Sequence, residues 1–174
     1  MRRSLPAIFA LLLASLTAIA SCNSNAMENS AQKTKADQVI ILKSERRLLL
    51  KQGKTTLREY RIALGSSPVG AKQAQGDGKT PEGRYIIDTR NPNSRFYRSL
   101  HISYPSAQDI ARAKRMRVKP GGMIMIHGLG KEFGAIGTMH RLHDWTQGCI
   151  AVTNEEIGEI WDLVADGTPI DLRP

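Results

Sequence analysis

The chain has 174 residues, 41% of them hydrophobic and 5% aromatic, and its 25 basic and 16 acidic side chains give a net charge of +9. This length fits one domain plus an appendage, and the apolar content is enough for a packed core, which excludes a fully disordered chain. The positive charge indicates an anionic partner. The basic residues are scattered without interleaved aromatic side chains, so we expect no nucleic-acid partner.

Residues 1–21 are typical of a bacterial secretory signal peptide. Arg2 and Arg3 form a positive start, and residues 8–20 form an apolar run that is short for a membrane span. The protein is therefore expected to be exported, and these residues to be absent from the folded domain.

The signal ends in Ile19-Ala20-Ser21-Cys22, which resembles the lipobox of bacterial lipoproteins. The resemblance implies cleavage before Cys22 and acylation of that cysteine, whereas an ordinary signal cleaved nearby is the alternative. We expect a protein anchored by its lipid on the periplasmic side of a membrane. Asn23 is not the Asp that retains enteric lipoproteins at the inner membrane, so the outer membrane is expected in a diderm host.

The polar residues 23–37 predict a flexible tether, so the lipidated cysteine and linker occupy residues 22–37 and the folded domain residues 38–174. With Cys22 acylated, Cys149 is the sole thiol of the mature chain. A leftover cysteine in an oxidising compartment indicates a reactive role.

Short apolar runs bounded by turn residues predict a series of β-strands from residue 38 onward. These predicted strands are residues 39–42, 48–50, 57–64, 85–87, 100–103, 122–126, 149–152 and 169–172. Residues 65–83 are rich in Gly, Pro and polar side chains and predict a long loop.

Two short helices are predicted among these strands. Residues 108–117 form a basic helical segment, and Thr153 with Glu156 matches a capping box at the start of a second helix. That helix carries one apolar face, made of Ile157, Ile160, Trp161 and Val164. The fold class predicted is a mainly β single domain with one or two short helices.

The chemistry-bearing residues lie between residues 126 and 156. His127-Gly128 is followed by a spacer of seventeen residues and then by a Thr-Gln-Gly-Cys sequence that ends at Cys149. A thiol becomes a good nucleophile as the thiolate, so it needs a base or a positive charge beside it. His127, at the end of a predicted strand, supplies that base if the fold brings it to Cys149. Gly148 permits a tight turn and the close approach of a substrate carbonyl.

The same residues also have structural explanations. Cys149 can be a small buried hydrophobe, and His127 can be a core histidine. A zinc site is also conceivable, but closed zinc sites need four ligands, usually at tighter spacing. The residues alone leave these alternatives open.

This pattern resembles the catalytic signature of the L,D-transpeptidases (YkuD-type), in which a His-Gly and a spacer of this size precede Ser or Thr, any residue, Gly and Cys. Residues 76–83, 99–105 and 144–154 also look typical of the family, and the similarity covers residues 38–174. The resemblance implies a mainly β, L,D-transpeptidase-like β-sandwich, and it implies no metal and no cofactor.

By this resemblance, the catalytic triad is Cys149, His127 and the backbone carbonyl of Gly128, and backbone N–H groups around Gly148 and Cys149 form the oxyanion hole. Cys149 attacks the carbonyl between an L-centre and a terminal D-residue of a peptidoglycan stem peptide and forms a thioester. His127 accepts the thiol proton, and it later helps to deprotonate an amine of a second stem, which takes the acyl group and forms a crosslink. A carbapenem is expected to acylate the same thiol.

Two alternatives remain open for the activity. If water resolves the thioester, the enzyme is an L,D-carboxypeptidase or hydrolase that trims stems or releases wall-bound proteins. An alternative from another class is a non-catalytic wall-binding lipoprotein. In each case peptidoglycan stem peptides and the membrane are the expected partners, and the domain is expected to be a monomer.

Two positions depart from the family pattern. A His commonly stands where this chain has Gln147, and an Arg or Asn is common where it has Ala151. The second departure removes one expected partner for a stem carboxylate. Arg141 is the preferred replacement, ahead of Arg95 and Arg98, because the spacer that contains it must pass close to the site.

Thr146, Gln147 and His143 are further candidates for substrate contact, because they lie in or next to the motif. His140 and His143 are otherwise assigned to loop structure without a chemical role. His101 lies in a strand-like run and is expected to be structural.

Overall fold

Eight β-strands form one curled sheet in the computed structural model, which describes residues 34–174. The strands are β1 (Gln38–Leu42), β2 (Arg47–Gln52), β3 (Thr55–Arg61), β4 (Gly83–Ser94), β5 (Tyr97–Ile102), β6 (Met125–His127), β7 (Ile150–Ala151) and β8 (Pro169–Arg173). Their order across the sheet is β3-β2-β1-β8-β4-β5-β6-β7. Neighbours are antiparallel except β1 with β8 and β6 with β7, which are parallel.

The long strand β4 joins the two halves of the sheet. Its pairing with β5 shifts register between Ile87 and Thr89 and again between Asn91 and Ser94. Such irregularities bend a strand and increase its twist. Beyond β3 the chain continues to the opposite edge of the sheet, where Ala63 bridges to Ala151 of β7. The two edges therefore meet, and the sheet closes around its core.

The core lies inside this curled sheet and draws on both halves. Period-two burial is clearest in β2 and β8, where every second side chain is buried, whereas β1 is buried at three consecutive positions. Core residues include Val39, Ile41, Leu48, Leu50, Ile87, Leu100, Ile102, Ile126, Ile150, Ile170 and Leu172. The halves therefore share one hydrophobic core.

Two α-helices and one 3₁₀ segment connect the strands. Helix α1 spans Ala107–Arg115, helix α2 spans Asn154–Leu163, and the 3₁₀ segment spans Gly134–Leu142. The capping box predicted for α2 is confirmed, with Thr153 as N-cap and Glu156 at the third helical position. Among residues 34–174, no helix is long and apolar enough to span a membrane.

The mainly β fold with two short helices is confirmed, and the differences from prediction concern the extent of elements. Strand β4 covers twelve residues rather than 85–87, because its second half lacks an apolar period. The 3₁₀ segment was not predicted. The signal peptide, Cys22 and the tether up to residue 33 lie outside the described residues.

The buried side chain of Lys43 binds residues near both ends of the long loop 65–82. Its buried ammonium group donates to the carbonyls of Gly70 at 2.7 Å and Thr80 at 2.9 Å, and it pairs with Glu82 at 2.7 Å. A buried charge is costly unless it is paired and hydrogen-bonded. The positive charge of Lys43 therefore stabilises the fold, although from the sequence alone it was counted among the charges that indicate an anionic partner.

Asp77 organises the centre of the same loop. Its carboxylate accepts hydrogen bonds from the backbone N–H groups of Gln73, Ala74 and Lys79 at 2.8–3.0 Å, and it pairs with the buried Lys72 at 2.7 Å. Burial acts to raise the pKa of Asp77, but these backbone bonds and the lysine outweigh it and lower the pKa to about 2.

Asp77→Asn is expected to lower the free energy of unfolding at neutral pH by about 2 kcal/mol, because the depressed pKa measures how strongly the fold prefers the carboxylate. This contribution is complete above pH about 4 and is lost as the pH falls towards 2. Denaturation of both proteins from pH 7 to pH 2 should therefore show their stabilities converging. Asp166→Asn, at an exposed carboxylate 3.9 Å from its partner, is the control, and a pH-independent difference for Asp77→Asn would contradict the assignment.

Candidate active site

The pairing of β6 with β7 places His127 and Cys149 on the same face of the sheet. His127 lies directly beside Ala151 in this parallel ladder. Cys149 is two residues before Ala151, and side chains two apart in extended chain share a face. Both residues line one cavity of about 490 Å³ that opens on this face.

The backbone carbonyl of Gly128 orients the imidazole. His127 Nδ1 lies 2.7 Å from Gly128 O. A carbonyl oxygen only accepts, so Nδ1 holds the proton in neutral His127 and Nε2 remains free to accept one. Gly128 has no room for a side chain, because a Cβ there would lie 2.6 Å from Asn154 Oδ1 and 2.9 Å from Ile157 Cγ2.

Two aromatic side chains that the sequence did not single out hold the imidazole in place. Phe96 stacks on His127 with ring centroids 4.4 Å apart, and Trp145 meets it edge-on at 5.9 Å. His127 is only 2% exposed. This burial lowers the pKa of His127, and the charge of Arg95 lowers it further, although the hydrogen bond to Gly128 acts to raise it. The imidazole is therefore neutral near pH 7 and can act as a base.

Cys149 is a partly exposed free thiol. Burial raises its pKa, while the Met125 backbone and the charges of Lys72 and Arg95 act in the opposite direction. Its Sγ lies 3.5 Å from the carbonyl oxygen of Met123. The resting site therefore holds a neutral thiol and a neutral imidazole, an arrangement in which the imidazole can accept the thiol proton.

Thr146 shapes the turn that carries the nucleophile. Its hydroxyl donates to Cys149 O at 2.7 Å and accepts from the Gly148 N–H at 3.1 Å. Thr146 is 4% exposed, so its hydroxyl serves the turn and not the expected substrate contact. The Gly148 N–H, expected in the oxyanion hole, is likewise used within the turn.

Gly148 is required by both its conformation and its surroundings. Its φ of +121° lies in a region that favours glycine. A Cβ there would lie 2.5 Å from Lys79 O and 3.2 Å from Ile124 Cδ1. The loop organised by Asp77 therefore lies directly against the nucleophile turn.

The structure brings Arg95, and not Arg141, to the cavity. Arg95 lines it together with His127 and Cys149. Arg141 is ion-paired with Glu156 in the first turn of α2 and does not line the cavity. Arg95 is therefore better placed than the preferred Arg141 to meet a carboxylate in the cavity, because a carboxylate of the fold already pairs with the Arg141 guanidinium. Arg98 does not line the cavity either, and its guanidinium lies 5.4 Å from the Trp161 ring.

The remaining candidates divide between the cavity and its surroundings. Gln147 is exposed and lines the cavity, whereas the exposed His143 does not. His140 is buried and lines a separate apolar cavity with Phe96 and Trp145. Burial and then the charge of Arg141 lower the pKa of His140 to about 4.

Polar residues of β4 and β5 also line the cavity but were missed from the sequence. They are Asn91, Ser94 and Ser99. Strand alternation cannot place both Asn91 and Ser94 on this face, because the register shift between them is visible only in the pairing with β5. Within residues 34–174, no group of three or more His, Cys, Asp or Glu side chains is arranged to hold a metal ion.

Comparison with known families assigns the chain to a class. The model of the YkuD family, the L,D-transpeptidase catalytic domain, matches residues 36–172. The Escherichia coli K12 protein named "Putative L,D-transpeptidase YafK" is 36% identical over 130 residues, which is 71% of this chain and 45% of the relative. The chain therefore belongs to the L,D-transpeptidase catalytic-domain family. It spans less than half the length of the curated relatives that it matches.

Solved structures agree with this fold. The helical cell shape determining protein Pgp2 from Campylobacter jejuni is 26% identical with a TM-score of 0.60, and the match covers 78% of this chain and 46% of Pgp2. Bd1075 from Bdellovibrio bacteriovorus is 22% identical with a TM-score of 0.55, covering 80% and 47%. The second likeness concerns the fold alone.

Gly148→Ala is expected to lower the free energy of unfolding by about 1–3 kcal/mol and to displace the thiol, because the new Cβ meets backbone at a positive φ. Chemical denaturation and the alkylation rate of Cys149 measure the two effects. Gly158→Ala is the matched control, since that glycine lies within α2 and a Cβ there meets nothing within 4 Å. It should stabilise the protein by about 0.5–1 kcal/mol, and similar effects of both substitutions would show that the nucleophile turn does not require a glycine at position 148.

Proposed function

We propose that the protein is a peptidoglycan L,D-transpeptidase that crosslinks stem peptides, or attaches other molecules to them, through a thioester on Cys149. One observation carries the proposal: His127 and Cys149 share a sheet face and an open cavity, with the imidazole fixed by Gly128. A thiol beside an oriented neutral imidazole is the arrangement needed for nucleophilic acyl transfer.

In the first half-reaction, the Cys149 thiol attacks the carbonyl between an L-centre and a terminal D-residue of a stem. A C–S bond forms while the thiol proton passes to Nε2 of His127. The C–N bond then breaks, and the imidazole returns this proton to the leaving amine. The products are a thioester and a free D-residue. We assign the backbone N–H of Cys149 to the developing oxyanion, because the Gly148 N–H is used within the turn.

In the second half-reaction, an amine of another stem takes the acyl group and the thiol is restored. The same cavity supports a second candidate, because it is open and Cys149 is partly exposed, so water can also reach the thioester. With water as acceptor, the enzyme is an L,D-carboxypeptidase or hydrolase. A non-catalytic wall-binding lipoprotein has no use for a thiol and a base placed in one cavity.

The proposed setting is the periplasmic side of a bacterial membrane. Cleavage before Cys22 and acylation of that residue would tether a monomeric catalytic domain to the lipid. The tether would let the domain reach the wall, and its surface lysines and arginines would favour anionic wall polymers or headgroups.

The three candidate functions are separated by incubating the purified exported chain with defined tetrapeptide muropeptides and analysing the products by mass spectrometry. A crosslinked dimer is expected for the transpeptidase, and a shortened monomer identifies the hydrolase. Unchanged muropeptides would leave only the binding protein.

Cys149→Ala is expected to abolish turnover while thermal unfolding stays close to the wild type, because the thiol serves chemistry and not packing. Wild-type protein incubated with a carbapenem should gain the mass of one drug molecule, and Cys149→Ala should gain none. His127→Gln should lower the acylation rate by roughly 10²–10⁴-fold, the range for loss of a general base. An unmodified wild type, or a fully active Cys149→Ala protein, would refute the mechanism.

Arg95→Lys is expected to raise KM for a tetrapeptide by roughly 10–100-fold, because a lysine cannot replace the bidentate fork that a guanidinium offers a carboxylate. Carbapenem acylation, which depends less on stem contacts, should change little. Arg141→Lys is the control, since its partner is Glu156. Steady-state kinetics measure both KM values. If KM rises for Arg141→Lys instead of Arg95→Lys, the stem carboxylate is not bound by Arg95.

A further inference from the structure

A second histidine is oriented on the same face of the sheet as the thiol. His101 Nδ1 lies 2.6 Å from Asp88 Oδ1, and the two side chains are 24% and 34% exposed. A carboxylate only accepts, so Nδ1 donates the proton and Nε2 of a neutral ring is left to accept one. The Asp88 carboxylate therefore orients His101 in the same way that the Gly128 carbonyl orients His127, with the proton on Nδ1 and Nε2 free to accept.

Strand register places His101 in line with the thiol. His101 pairs with Met125 across β5 and β6, and Ile126 pairs with Ile150 across β6 and β7. Met125 is therefore adjacent to Cys149, and one row crosses the sheet from His101 through Met125 to the nucleophile. Two strand spacings of ~4.8 Å put the ends of this row ~10 Å apart.

One groove connects the two histidines. His101 lines a cavity of about 300 Å³. Asn91, Ser99, Met123 and Met125 line this cavity and also the cavity that contains Cys149. A molecule bound at the thiol can therefore extend along the sheet to His101 without leaving the groove.

We propose that His101, held by Asp88, is the second base of the site and deprotonates the amine or water that resolves the thioester. This inference rests on the proposed function. An acyl carbon on Sγ, an attacking atom and a hydrogen bond to Nε2 together span about 7–8 Å. That length fits between side chains that rise from the two ends of the row.

His127 is poorly placed for this second task. It is enclosed by Phe96 and Trp145, and its Nδ1 is held by Gly128. Its remaining nitrogen serves the thiol and the leaving amine. His101 lies on β5, two strands from Cys149 along the row through Met125, and it faces the groove by which an acceptor can enter.

In deacylation, one proton passes from the attacking nucleophile to the departing thiolate by way of His101. The nucleophile forms a bond to the acyl carbon and gives its proton to Nε2 of His101. The C–S bond breaks, and its electron pair leaves on sulfur as the Cys149 thiolate. The proton on His101 returns through water in the groove to that thiolate, which restores the thiol and the neutral imidazole.

The test separates acylation from deacylation by rapid-quench intact mass spectrometry of the exported chain with a tetrapeptide muropeptide. His101→Gln is expected to acylate within about twofold of the wild type and to deacylate about 10²-fold more slowly, so the acyl-enzyme accumulates. Asp88→Asn should slow deacylation about tenfold through misorientation of the ring. Added imidazole should restore part of the deacylation rate of His101→Ala, which a purely structural residue would not allow.

His143→Gln is the control, because this exposed histidine lines neither cavity. Deacylation at the wild-type rate in His101→Gln, or an equal loss in both half-reactions without imidazole rescue, would overturn the inference and leave the proposed function intact. A wild type that forms no acyl-enzyme would instead refute the proposed function, and the second base with it. If His101→Gln fails to fold, the Asp88→Asn rates decide.

Discussion

The parallel pairing of β6 with β7 is the constraint on which the site depends. It sets His127 beside Ala151 and thereby places Cys149 on the same face. Because successive side chains alternate, a shift of one residue would turn either the base or the nucleophile into the core. The buried Ile126 and Ile150 prevent this shift, since both lie in the hydrophobic core. The apolar packing therefore determines the alignment of the polar groups.

Burial determines the electrostatics of the same pair. It holds the imidazole neutral and the thiol protonated in the resting state. A thiol that stays protonated at rest is protected from oxidation, because the thiolate is the reactive form. The loop of residues 65–82, which Lys43 and Asp77 hold in place, supports this arrangement because it contacts the turn that carries Cys149.

The sequence was sufficient for the fold class, because short apolar runs carry that information locally, and a spaced motif was enough to select His127 and Cys149 as the candidate pair. It was insufficient where tertiary partners decide. Arg141 and Arg95 have the same chemistry, and only the position of Glu156 shows which guanidinium is already paired. The second half of β4 lacks an apolar period because that half borders the open groove. The stacking of Phe96 on His127 joins residues far apart in the chain, and no local signal marks it.

The first turn of α2 holds two points of the segment that joins His127 to Cys149, one at Leu129 and one at Arg141. Asn154 Oδ1 accepts the N–H of Leu129 at 2.8 Å, and Glu156 binds Arg141 while it also accepts the Thr153 N–H at 2.9 Å. The intervening residues are thus a loop fixed at its two attachment points. Gly130, Phe133 and Ile136 of this loop line the apolar cavity that Phe96 and Trp145 share, so lengthening or shortening the loop would remodel that cavity while the pairing of β6 with β7 stays fixed. The surroundings of the imidazole can therefore diverge here independently of its alignment with the thiol, and the same insertion point is open to protein engineering.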